Sequence, residues 1–100
     1  MKYMLILQFP PTLFTYDELI EFENTLISEL KGIAEVDGHD LGTGEVNFFI
    51  LSDTVNVAFD KIKALLKSEE VNVLKAAFRE IDGEHYHILH PPQLTDFHVS

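Results

Sequence analysis

Residues Val36 to Leu51, VDGHDLGTGEVNFFIL, hold three glycines, three acids and a histidine in their first ten positions and then turn abruptly apolar. If the glycines reverse the chain, Ile33 to Asp40 and Val46 to Leu51 are two strands of a hairpin. Glycine enters positive φ without steric penalty, which tight hairpin reversals need. Competing readings fail on spacing. There is no GxxxxGK[ST], no Lys or Arg lies nearby, and the stretch precedes a strand instead of opening a helix, so it is no phosphate loop. An EF-hand loop begun at Asp37 needs an acid eleven positions later, where Phe48 stands. Gly42-Thr43-Gly44 lacks the third glycine of a dinucleotide fingerprint. The stretch reads as a turn between strands.

Outward from the hairpin, the elements declare themselves by period. Tyr3 to Phe9 is a nearly continuous apolar run stopped by Pro10-Pro11, as in a strand covered on both faces. Thr15-Tyr16-Asp17-Glu18 is a capping box, and Leu19, Phe22, Leu26, Ile27 and Leu30 follow at helical spacing until Lys31-Gly32. Beyond the hairpin, Asp53 or Thr54 caps a second helix with the stripe Val55, Ala58, Phe59, Ile62, Leu65 and Leu66, and lysines toward its C-terminal end. Val71 to Asp82 fits either a helix or a strand. An internal echo favours a strand over Val73 to Asp82: Glu35-Val36-Asp37-Gly38 recurs as Glu80-Ile81-Asp82-Gly83, and at the same offset of 45 residues Tyr3 to Ile6 meets Phe48 to Leu51. Asp82-Gly83 is itself a hairpin signal, and Tyr86 to Leu89 makes a short fifth strand.

Two β-α-β halves are the plan of the α+β ferredoxin-like α/β plait, βαββαβ, with both helices on one face of an antiparallel sheet. Residues 1–90 form a single domain in this reading, and 91–100 a Pro-containing tail in which Leu94 and Phe97 can pack against the body. The segments EVDGHDLGTGEVNFFI (35–50) and AAFREIDGEHYHIL (76–89) resemble small bacterial single-domain ferredoxin-like proteins of uncharacterised function. That resemblance implies a fold and no reaction, because this superfold hosts many unrelated functions.

Composition bounds the function classes. The chain has 100 residues, 46% of them hydrophobic, enough for one core, and 24% charged. Seventeen acids against seven Lys and Arg give a net charge of -10, which repels nucleic acid and anionic membrane and suits cations or a basic protein partner. With no cysteine, disulfides, thiolate nucleophiles and Cys-type zinc sites are excluded, in keeping with a reducing compartment. No stretch reaches membrane-spanning length, Gln8 and Pro10 interrupt the N-terminal apolar run, and the expected location is cytoplasmic.

Two clusters could carry chemistry. On a strand, residues two apart share a face, so Glu35, Asp37 and His39 align opposite Val36, with Asp40, Glu45 or Asn47 joining from across the hairpin. Asp37, His39 and Glu45 are then the candidate ligands of a divalent metal on an open sheet face, or a general acid and base; a solvated edge strand is the alternative. His85 and His87 project together from a strand, with His90 close by, but two ligands do not make a site. No serine has a nucleophile-elbow context. The central strands carry apolar residues on both faces, so something must cover the second face, and a twofold homodimer through the sheet is the simplest cover, with the tail as competitor. The expected function is a non-enzymatic, dimeric interaction or binding module without cofactor. The alternatives are a small metal-dependent protein and an inhibitor or immunity-type protein for a basic partner.

Overall fold

Thr15 starts the first helix as its sequence requires. The Glu18 N–H donates to the Thr15 hydroxyl at 3.2 Å, and the Glu18 carboxylate accepts from the Thr15 N–H at 2.9 Å. These bonds, first the backbone one and then the side-chain one, hold the Glu18 carboxyl below its ordinary value of 4.5. A carboxylate with a lowered pKa adds its stability above the unfolded value and loses it as pH falls through the folded one. Thr15→Ala is expected to cost about 1 kcal/mol in urea melts at pH 7. The deficit should shrink below pH 4.5; a constant deficit down to pH 3 would count against a charged cap.

The computed structural model describes residues 1–42 and 44–99. Its elements are β1 (Tyr3–Phe9), α1 (Tyr16–Glu29), β2 (Glu35–Leu41), β3 (Val46–Ser52), α2 (Val55–Leu65), α3 (Ser68–Val73), β4 (Lys75–Glu80) and β5 (His87–His90). They make an α+β fold with one five-stranded antiparallel sheet in the order β2-β3-β1-β4-β5. Because β1 and β2 both run antiparallel to β3, they are parallel to each other, joined through α1. The same holds for β3 and β4 around β1, joined through α2 and α3. This is compatible with an α/β plait.

The strand expected from Val73 to Asp82 is shorter, and a six-residue helix precedes it. Glu70 accepts from the Lys67 N–H at 2.7 Å, closing the first turn of α3, and Leu74 is the extended, buried joint between helix and strand. Both periods read in that segment are therefore real, one after the other. Thr54 occupies the N-cap of α2, but its side chain makes no capping bond; its N–H instead donates to the Ser52 hydroxyl at 2.9 Å. Gly32, with φ of +90°, follows the end of α1 as expected.

The main core lies between the sheet and the helices. Leu5, Leu7 and Phe9 of β1 and Phe48 and Ile50 of β3 meet Leu19, Leu26 and Leu30 from around α1 and Ala58, Phe59 and Ile62 from α2, so both long helices cover one face. Phe9, Phe14, Phe22 and Phe48 form its aromatic centre, with ring centroids 5.2 to 6.2 Å apart. Ile27, placed on the core stripe by spacing, is half exposed because it falls at the edge of α1's buried arc.

The second sheet face is apolar as well. Ile6, Ala77 and Phe97 are buried there, with Met4, Phe49, Tyr86, Ile88, Leu94 and Val99 packed around them. Phe97 thus belongs to the tail that the sequence offered as a cover. Its ring lies 5.1 Å from that of Tyr86, and the Gln8 amide donates to the His98 carbonyl at 2.7 Å.

Candidate functional site

The hairpin built from the opening stretch is real, and its details decide where the candidate ligands go. The Gly42 N–H donates to the Glu45 carbonyl at 2.9 Å, closing the turn; Thr43 lies outside the described residues. Positive φ falls at Gly38, at +137°, whereas Gly44 lies outside the positive range. The cause is a β-bulge. Val36 pairs with Ile50 and Gly38 with the next residue, Phe49, leaving Asp37 as the extra residue. The period of two breaks there, so His39, opposite Phe48, turns to the helix face together with Val36 and away from the open face expected for it.

His39 finds its partner on α1. Its Nδ1 lies 2.8 Å from Oε2 of Glu23, with side-chain exposures of 24% and 15%, and its ring packs 6.4 Å from that of Phe48. A carboxylate held on Nδ1 fixes the ring orientation and leaves Nε2 as the remaining polar atom. Asp37 is exposed on the bulge and Glu45 is half-buried just before β3, so the three residues singled out from sequence sit at three different positions of the hairpin. Among the described residues, no group of three or more His, Asp or Glu side chains is arranged to hold a metal ion. Glu23 had no sequence signal pointing to it beyond its place in an acidic helix.

The other histidines are placed by neighbours of ordinary kinds. His87 stacks on Phe78 at 5.0 Å, His85 meets His87 edge-on at 5.2 Å, and Nε2 of His90 lies 2.9 Å from the Val71 carbonyl. Arg79 donates through Nη1 to the carbonyls of Glu80, Ile81 and Gly83 and ties the β4–β5 turn.

The most distinctive surface feature lies elsewhere, on the helix side. A groove of about 390 Å³ runs beside α1 toward the end of α2 and the start of α3. Phe14, Phe22 and Leu65 give it an apolar floor, and Glu18, Glu21, Glu69 and Glu70 stand around it with Lys67, a surplus of three negative charges among the described residues that line it. Glu18 and Glu70 are held in place by their capping bonds. Lys67 is near enough to contribute the smallest of the attractions that lower the Glu18 pKa. No described helix is long and apolar enough to cross a membrane. Comparison with known proteins finds no matching family model, no matching curated protein and no matching solved structure.

Proposed function

We propose that this chain is a non-enzymatic interaction module on a ferredoxin-like α/β plait, with α3 and β5 as additions, and that it docks a basic segment of another protein. The observation that carries the reading is the acid-rimmed, apolar-floored groove beside α1. A basic amphipathic helix fits this combination: its apolar face covers Phe14, Phe22 and Leu65 while Lys or Arg side chains reach the glutamates. The net charge of -10 steers such a partner from a distance, and steering by exposed charge weakens as salt screens it.

The probe is a fluorescein-labelled, 18-residue amphipathic peptide of Leu and Lys, titrated with the full chain in anisotropy measurements. Binding should weaken at least tenfold in Glu21→Lys/Glu69→Lys and should weaken in the parent as salt is raised. These two glutamates are chosen because neither makes a capping bond in α1 or α3, so the variant should keep the parent's melting curve. An acidic peptide of the same length should not bind. Equal binding by parent and variant, or none by either, would remove the groove as the site.

A further inference from the structure

The strand register arranges the second sheet face in three cross-strand rows. From the β2 side to the β4 side they read Glu35-Leu51-Met4-Arg79, Gly38-Phe49-Ile6-Ala77 and Asp40-Asn47-Gln8-Lys75. The middle row is uncharged. Each outer row begins with an acid on β2 and ends with a base on β4, and that pattern is self-complementary. A second copy, turned by a twofold axis parallel to the strands, lays its β4 over β2 and keeps every row at its own height. Glu35 then faces Arg79 of the second copy and Asp40 faces its Lys75, and symmetry makes each pair twice. Stacked sheets align within about 30°, which preserves this matching. The four strands that overlap, about 4.8 Å apart and six residues long, present a face of about 19 by 20 Å, which with side-chain relief buries on the order of 1,000 Å² in total, the size of a weak, reversible interface.

Residues 91–99 lie over part of this face and outside the sheet, so no strand ladder fixes them. They are held by inserted apolar side chains, chiefly Phe97, and by the bond from Gln8 to the His98 carbonyl. We propose that the tail is a removable strap over a homodimer face: closed, it keeps the chain monomeric; lifted, it lets a second copy stack sheet to sheet in the register above. The proposal uses the face opposite the helix groove and stands independently of it.

Light scattering on full-length Leu94→Ser/Phe97→Ser tests it, with the mass expected to rise from 11.4 kDa to twice that value. Adding Asp40→Arg should return the variant to monomer, and further Lys75→Glu should restore the dimer by exchanging the charges of that row. A folded strap variant that stays monomeric, or a dimer indifferent to these charges, overturns the proposal. A milder lift, Phe97→Ala with its melting curve measured alongside, guards against a strap variant that does not fold: its mean mass should rise above 11.4 kDa as concentration is raised, and a folded Phe97→Ala that stays at that mass overturns the proposal.

Discussion

Phe48→Ala is expected to lose about 3–5 kcal/mol in urea unfolding, enough to leave the chain near the margin, since domains of this size hold about 5–15 kcal/mol in total. Phe48 is 0% exposed, and its ring meets those of Phe9, Phe14 and Phe22 as well as His39. Removing it opens a cavity that three other aromatic rings line and that neither helix can close without leaving the sheet. Phe48→Asp adds the cost of a buried, unpaired carboxylate and should prevent folding at 25 °C. Phe49, one residue later, points to the second face and is only partly buried beneath the tail region. Phe49→Ala should therefore cost clearly less, about 1–2 kcal/mol. The measurement is a pair of urea midpoints with m-values. Equal losses at the two positions would mean that the faces of β3 have been misassigned.

That contrast depends on alternation, which was legible in sequence wherever a strand is regular. In β1 that alternation puts Leu5, Leu7 and Phe9 against the helices and Met4 and Ile6 on the second face. Thr15 and Glu18 marked the helix start correctly because a capping box is a contact between residues three apart. The internal echo led to β4 by an incomplete route. Glu35 opens β2 whereas Glu80 closes β4, so the matched letters stand at opposite ends of their strands. The residues before Leu74 had also to be given to α3.

Long-range terms were harder to read. His39 meets Glu23, sixteen positions away on another element, and no local spacing encodes that contact. The tail could be named as a cover from Leu94 and Phe97, since large apolar side chains in a Pro-rich segment need somewhere to go. Its anchor at Gln8 depends on β1 being central in the sheet. Gln8 and Asn47 form a buried polar pair within an otherwise apolar run, joined at 3.1 Å, and the Asn47 amide nitrogen has no hydrogen-bond partner among the described residues. In sequence, Gln8 served only to interrupt an apolar stretch.

The glycines of the opening stretch give the second large prediction, because the structure puts a positive φ at Gly38, in the bulge. Gly38→Val should destabilise by about 1–3 kcal/mol, the cost of holding a side chain in strained backbone. A Cβ at Gly38 meets no heavy atom within 4 Å, so the cost comes from the φ of +137° and not from a clash. The strain has one easy release, which is to lose the bulge, and a slip of one residue sends every side chain beyond it to the other face. His39 would then leave Glu23 and Phe48, so relief of the strain forfeits a polar side-chain contact that ties β2 to α1. Either route is unfavourable, and a β-branched residue cannot avoid both. Gly44 has no positive φ and open space around its Cα, so Gly44→Ala should change stability by less than about 0.5 kcal/mol, or raise it slightly by stiffening the unfolded chain. Urea melts of the two variants decide the matter. A loss at Gly44 as large as that at Gly38 would return the demand to the turn, where composition alone had placed it, and would make the bulge incidental to the position of His39.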